Sequence, residues 1–232
     1  MKLEIYQILE QYMDSCMQDS AHDKEHIYRV LYIALDIARF EQNVDYDILI
    51  AACLLHDIGR QEQFENPKLC HAEIGAQKAY CFLIESGFKK VFAESVKACI
   101  QTHRYRNDNI PQSIEAKILF DADKIDVTGA IGIARTLLYN GQLSEALYTK
   151  LPNGLISDGT NDKQPSFFQE YKFKLEKINS CFYTKRALQL ATERQQAAKA
   201  FYESMLSEVS ISYRLGISLL EQQLSESDFE KG

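Results

Sequence analysis

Two His-Asp dipeptides in the first quarter of the chain could each give a metal ion two ligands. They are His22-Asp23 in "AHDKEHIYRV" and His56-Asp57 in "LLHDIGR". Neutral imidazoles and carboxylates suit Mn, Fe, Co, Ni and Zn. The second pair ends the stretch "YDILIAACLLHDI", which is apolar on nearly every side, so both polar side chains need partners. Either a bound metal or neighbouring backbone groups would supply those partners.

The pentapeptide "HDKEH", residues 22–26, allows a second interpretation. It matches H-x-x-E-H, the inverted zinc-protease motif, in which both histidines bind zinc and the glutamate is a general base. His22 and His26 are four residues apart and therefore share one face of a helix. His26 adjoins the apolar stripe of that helix, whereas capping or solvent is enough to explain His22. The zinc-protease interpretation also leaves His56-Asp57 without a role.

The stretch "ILFDADKID", residues 118–126, offers three further carboxylates. Asp121 directly follows an apolar pair, so we expect its side chain to point inward. Asp123 and Asp126 fit a solvated helix end instead. Asp121 is therefore the preferred candidate ligand from this stretch.

The elements that must position these residues are helices, because apolar residues recur at helical spacing along most of the chain. Asp45 is a plausible N-cap, and Gly59 is placed to end the helix after the second His-Asp pair. The predicted helices span residues 27–40, 46–58, 70–86, 88–105, 112–125 and 126–149, with a final helical region over 166–225.

The sequence predicts an all-α fold, because no alternating segment is long enough for a substantial sheet. "LPNGLISDGTNDKQPS", residues 151–166, is the exception and predicts one long loop or short hairpin. We therefore expect a helical core over 1–150 and a loop with a C-terminal helical extension over 151–232, packed on that core.

Composition excludes several classes of function. The 232 residues carry a net charge of −7, which argues against a broad nucleic-acid surface. No signal peptide and no run of 18 apolar residues is present, so we expect a cytoplasmic protein without a membrane partner. No P-loop or G-x-G-x-x-G motif occurs, so any nucleotide would be a substrate and not a ligand of those motifs.

Three motifs in order, "HIYRV", "LLHDIG" and "ILFDADKID", resemble the HD-domain metal-dependent phosphohydrolase superfamily. The resemblance covers about residues 20–140 and is strongest to a branch of small, mostly uncharacterised bacterial proteins. It implies an all-α HD-domain helical bundle and a divalent first-row metal. The implied ligands are His26, His56, Asp57 and Asp121, and His22-Asp23 would then be a coincidence.

His71 and His103 fall between the His-Asp pair and the last aspartate. In branches of the family with two metals, histidines in this interval bind the second ion. The resemblance therefore allows them to hold a second metal or to contact a substrate phosphate. They could equally be satisfied helix histidines, and the sequence does not decide between one metal and two.

The family hydrolyses phosphate esters and anhydrides, commonly of nucleotides, so we expect a small-molecule phosphate substrate. Asp57 could orient the attacking water, and Lys124 is the best catalytic and substrate-binding cation because it lies one helical turn after Asp121. Arg29 and Arg60 are further candidates for phosphate binding, although a surface ion pair would also explain each arginine.

Three functional hypotheses remain open on the sequence. The first is a hydrolase of nucleotide phosphates, supported by manganese or a related ion. The second is a di-iron oxygenase that uses six ligands, and the third is a non-catalytic metal- or nucleotide-binding protein. A homo-oligomer is compatible with each. The six ligands of the oxygenase would be His26, His56, Asp57, His71, His103 and Asp121.

Overall fold

The computed structural model describes residues 1–17, 24–104 and 109–229. His22 and Asp23 lie outside the described residues. The helices are α1 Leu3–Cys16, α2 Lys24–Ala38, α3 Tyr46–Leu55, α4 Arg60–Glu65, α5 His71–Glu85, α6 Lys90–Thr102, α7 Ile114–Ile125, α8 Gly129–Gln142, α9 Phe167–Phe173, a 3₁₀ helix Leu175–Cys181 and α10 Lys185–Phe229.

The all-α prediction is confirmed, since the described residues form helices and no strand. The predicted turn near 151–166 contains a short hairpin-like contact, in which the Leu151 amide donates to the Leu155 carbonyl at 2.8 Å. Only isolated bridges occur there, at Lys150–Ile156 and Ala146–Ser166. Among the described helices, none is both long and apolar enough to cross a membrane.

Helix α3 is buried and is followed directly by the second His-Asp pair. Asp45 is its N-cap, as predicted, and accepts hydrogen bonds from the amides of Asp47 and Ile48 at 2.9 and 3.2 Å. The helix packs against α1, α2, α5, α6 and α7. Its apolar residues face neighbours on every side, so the two polar residues at its end face other helices instead of water.

The predicted helices over 126–149 and 166–225 are shorter or broken. Gly129 adopts φ 62°, a left-handed conformation, and α8 begins there instead of continuing from α7. Ser144 adopts φ 56° just after α8 ends. The final region divides into α9, the 3₁₀ helix and α10, because Ser166 caps α9 and Lys174 ends it.

The chain divides by its internal contacts into two units. The first consists of Met1–Asp126 with Phe182–Leu190, and the second of Val127–Cys181 with Ala191–Gly232. These bounds differ from the predicted domains 1–150 and 151–232, because α8 belongs with the second apolar core. That core contains Ile133, Phe167, Phe168, Tyr171, Leu175, Ala198 and Tyr202.

Candidate metal centre

Four buried histidines from four helices converge in the first unit. His26 lies on α2, His56 follows α3, His71 begins α5, and His103 follows α6. The ring centroids of His26 and His56 are 5.3 Å apart, and those of His71 and His103 are 5.2 Å apart. A further 5.2 Å separates the rings of His56 and His103. The imidazoles therefore form one continuous row.

Each of the four rings is fixed by a hydrogen bond from its Nδ1–H group to an oxygen atom. In the neutral form of each ring, Nε2 is then the nitrogen that can bind a metal ion. The Nδ1 atoms donate to Oδ2 of Asp126 from His26 (2.7 Å), to the Cys53 carbonyl from His56 (2.8 Å), to Oε1 of Gln63 from His71 (2.7 Å) and to the Ile100 carbonyl from His103 (2.6 Å).

The Nε2 atoms meet in two pairs. Nε2 of His26 lies 3.3 Å from Nε2 of His56, and Nε2 of His71 lies 3.2 Å from Nε2 of His103. Two ring nitrogens at this distance need a proton or a cation between them, because neutral rings with both Nδ1 atoms protonated would place two lone pairs face to face. The donor set thus fits a metal ion at each pair.

Asp57 lies between the two pairs and presents one carboxylate oxygen to each. Its Oδ2 is 3.5 Å from Nε2 of His26 and 3.7 Å from Nε2 of His56. Its Oδ1 is 3.6 Å from Nε2 of both His71 and His103. Asp57 could therefore supply one oxygen ligand to an ion held at each pair.

The remaining carboxylate at the centre belongs to Asp123, whose Oδ1 lies 3.3 Å from Nε2 of His26. Ligand atoms of His26, His56 and Asp123 all lie within 4.8 Å of one another, and we call these residues the first donor group. Ligand atoms of Asp57, His71 and His103 meet the same limit, and we call these the second donor group.

Asp121, the aspartate that the sequence favoured as a ligand, does not join either donor group. Its carboxylate accepts hydrogen bonds from the Tyr183 amide (2.9 Å), the Thr184 amide (2.7 Å) and the Thr184 hydroxyl (2.7 Å). Positions two apart on a helix point about 200° away from each other. Because α7 is buried on both sides, an inward-pointing Asp121 does not reach the side that faces the histidines.

Asp126 is fully buried, contrary to the expected solvated helix end. Its Oδ1 accepts from Nε of Arg29 at 2.7 Å, and its Oδ2 accepts from Nη2 of Arg29 at 3.1 Å. The same Oδ2 accepts from Nδ1 of His26. Arg29 therefore directs at least two of its donors at a protein carboxylate, which is a different role from the predicted phosphate contact.

Arg60 and Lys124 also have contacts that the sequence did not specify. Nε of Arg60 donates to Oδ1 of Asp57 at 2.9 Å. The ammonium of Lys124 lies 5.1 Å from the centre of the Phe120 ring. Lys124 is three residues after Asp121 and shares its side of α7, so it does not lie one turn after a member of either donor group on that side.

The histidines differ in pKa because they have different carboxylate neighbours. Burial lowers the pKa of His26, but the hydrogen bonds and charges of its three neighbouring aspartates outweigh burial and raise the pKa to about 10. Burial lowers the pKa of His56 to about 4 and that of His71 to about 3. Burial opposes ionisation of Asp57, yet Arg60 and the surrounding histidines hold its pKa well below the usual range.

A glycine contact sets the distance between the His-Asp turn and α5. A Cβ atom on Gly59 would lie 2.4 Å from the His71 carbonyl oxygen and 2.6 Å from the Gly75 amide nitrogen. The absence of a side chain at Gly59 therefore lets the first turn of α5 approach Asp57 closely. The "HDIG" glycine thus has a packing role besides ending the turn.

Comparisons with known proteins agree with this architecture. The family model for the HD domain matches residues 24–128. The uncharacterized protein YpgQ of Bacillus subtilis (strain 168) is 28% identical over 196 residues, which are 83% of this chain and 86% of that protein.

Two solved structures share the fold over most of their length. Bacillus subtilis YpgQ in complex with ADP has a TM-score of 0.70 and 26% identity, covering 89% of this chain and 96% of that one. An HD-superfamily hydrolase from Bacillus thuringiensis has a TM-score of 0.69 and 27% identity, covering 90% and 98%. Residues 24–128 of this chain therefore match the HD domain, and the solved structures extend the similarity of the fold to most of the chain.

Proposed function

We propose that this chain is a metal-dependent phosphohydrolase that acts on a nucleotide or a related small phosphate compound. The observation that carries the proposal is the pair of facing Nε2 contacts with the Asp57 carboxylate between them. Such an arrangement concentrates ring nitrogens and carboxylate oxygens in a buried space, which is the environment that a divalent cation stabilises.

Two ions are proposed. One would be held by the first donor group together with Oδ2 of Asp57, and the other by the second donor group through Oδ1 of Asp57. The ligands are nitrogen and carboxylate oxygen without thiolate, which suits Mn, Fe, Co, Ni or Zn. A divalent ion bound here would polarise a phosphoryl oxygen and lower the pKa of a coordinated water. Asp123 replaces Asp121 in the proposed ligand set.

The chain's own groups would prepare the site before any substrate arrives. Asp126 holds the His26 ring with Nε2 directed at the centre, and Gln63 does the same for His71. Asp57 serves as the shared carboxylate, with its orientation fixed by Arg60. The Arg60 side chain is 36% exposed, so its outer nitrogens could approach a phosphate oxygen.

The nucleotide part of the proposal has independent support. Bacillus subtilis YpgQ, which shares the fold across most of both chains, has been solved with ADP. ADP offers a phosphoanhydride and two phosphoryl groups, which are the chemical features that a carboxylate-bridged pair of ions would engage. We therefore place nucleoside di- and triphosphates first among the proposed substrates.

The donor geometry also keeps the di-iron oxygenase as a second candidate. Four imidazoles and two carboxylates supply six ligands, the number expected for that class once Asp123 takes the place of Asp121. The two candidates differ in the metal that supports turnover and in the consumption of oxygen.

The test uses the full chain loaded with Mn(II) and assayed for phosphate and pyrophosphate release from nucleoside mono-, di- and triphosphates. We expect release from at least one class, abolished in Asp57→Ala and retained in Asp36→Ala, a carboxylate ion-paired with Arg186. Iron-loaded protein that consumes oxygen with an organic substrate, while the manganese form releases neither phosphate nor pyrophosphate, would replace the hydrolase proposal with the oxygenase.

A further inference from the structure

We infer that the two proposed metal positions differ in affinity and that Arg60 weakens the second one. The inference rests on the proposed metal centre but concerns the order in which the ions bind, which neither the fold nor the ligand set specifies. It follows from the charged and neutral groups that surround the two donor groups.

The first donor group is rich in negative charge. Asp123 contributes a carboxylate to it, Oδ2 of Asp57 faces it, and the Asp126 carboxylate accepts the Nδ1–H of His26 from behind. A carboxylate behind a ligating imidazole raises the basicity of the ring and strengthens the metal bond. An ion at the first donor group therefore meets two carboxylates directly and, through His26, a third whose charge is partly offset by Arg29.

The second donor group has less negative charge and a cation beside it. His71 and His103 are held by neutral oxygens, the Gln63 amide and the Ile100 carbonyl. Its sole carboxylate oxygen is Oδ1 of Asp57, which already accepts from Nε of Arg60 at 2.9 Å. A guanidinium stays charged at every physiological pH, so Arg60 both occupies a lone pair and repels an incoming cation.

Arg60 is placed where its side chain can move away from Asp57. The residue is the first of the short helix α4, only three positions after Asp57, and its side chain is 36% exposed. Because it is partly exposed, the side chain can rotate toward solvent. The second ion thus binds by displacing the guanidinium from Oδ1, whereas the first binds without breaking that contact. A phosphate group would favour the displacement, because it offers the released guanidinium an anionic partner.

The test measures Mn(II) binding to metal-free full chain by equilibrium dialysis, with stoichiometry from elemental analysis. Spin coupling in the electron paramagnetic resonance spectrum reports whether both positions are filled. Wild type should show two classes of site that differ at least about tenfold in Kd. In Arg60→Gln the weaker class should tighten about tenfold, while the tighter class stays the same. Arg60→Lys retains the charge and should behave like wild type.

Lys68→Gln is the matched control, because it removes one positive charge from an exposed position in the loop after α4. Three results would each overturn the inference. They are two classes of site with equal Kd in wild type, one ion at saturation in both wild type and Arg60→Gln, and an unchanged Kd of the weaker class in Arg60→Gln. So would equal tightening in Lys68→Gln. Protein that binds no ion would remove the metal centre and the proposed function together. Two unequal classes without phosphate release would leave the inference standing and reject only the hydrolase assignment.

Discussion

Replacing Asp126 with Asn tests whether the carboxylate behind His26 prepares the first donor group. In the native protein this carboxylate accepts from Nδ1 of His26 at 2.7 Å and from Nε and Nη2 of Arg29 at 2.7 and 3.1 Å. An amide has one acceptor oxygen and one donor group. The Asn oxygen can therefore accept a hydrogen bond from His26 or from Arg29. Its NH₂ group must then face an N–H donor of the other residue.

The substitution should lower both the free energy of unfolding and the affinity for metal. Charge-assisted hydrogen bonds that lose a buried partner cost about 1.5–3 kcal/mol each. The Arg29 side chain is 30% exposed and can recover some hydration, so we expect the free energy of unfolding to fall by about 2 kcal/mol. Outer partners of a ligating histidine typically affect metal affinity by about 10–100-fold, and we expect a weakening in that range for the tighter Mn(II) site.

The assay combines urea unfolding of metal-free protein with Mn(II) binding to the folded variant. Asp36→Asn is the matched control, since Asp36 also lies on α2 and pairs with an arginine at 2.8 Å, but is partly exposed and contacts no histidine of the centre. It should cost no more than about 1 kcal/mol and leave metal affinity unchanged. Folded Asp126→Asn with wild-type affinity would refute the orienting role.

Three further outcomes are expected. Asp123→Ala should lose the tighter ion, whereas Asp121→Ala should destabilise the fold and leave metal content per folded molecule unchanged, as measured by elemental analysis. Gly59→Ala should lower the free energy of unfolding in urea by about 1–3 kcal/mol, because its Cβ would lie 2.4 Å from the backbone oxygen of His71. Metal-free protein should show its highest unfolding temperature near about pH 6.5. Between that pH and about pH 10, stability should fall as the pH rises, because folded His26, with its pKa raised to about 10, keeps a proton that the unfolded state releases. Below about pH 6.5, the unfolded state protonates His71 more readily than the folded state, whose pKa is lowered to about 3.

Helix periodicity and caps made most of the fold predictable. The apolar spacing located α2, α3, α5, α6 and α7 within a few residues, because each buries one or more faces in the same unit. The points at which helices end or are interrupted were harder to predict from the sequence. The left-handed residues Gly129 and Ser144 have no apolar signature, and the 3₁₀ segment Leu175–Cys181 keeps a helical apolar pattern although it interrupts the α-helix.

The candidate site was predictable in its histidines but not in its last carboxylate. The apolar pair before Asp121 indicated that this side chain is buried, and it was therefore preferred as a ligand. When a helix is buried on all sides, however, burial does not tell which side faces the histidines. A better signal was available in the spacing of Asp123 and Asp126, which are three residues apart and share a helix face. Gln63 could not be found from sequence, because only the fold brings α4 beside the first residue of α5.

The three hydrogen bonds to Asp121 bear on where this chain can be cut. The segment Phe182–Leu190 belongs to the first unit, although it is more than fifty residues beyond the matched HD segment. Burial raises the pKa of Asp121 to about 6, and the donors of Tyr183 and Thr184 offset that rise. A truncated chain that ended at residue 128 or 150 would orphan this carboxylate among apolar side chains, two residues before Asp123 of the first donor group. A truncated chain that keeps these donors therefore extends into the start of the last helix, and a cut at the boundary of the HD match would weaken the core around Asp121.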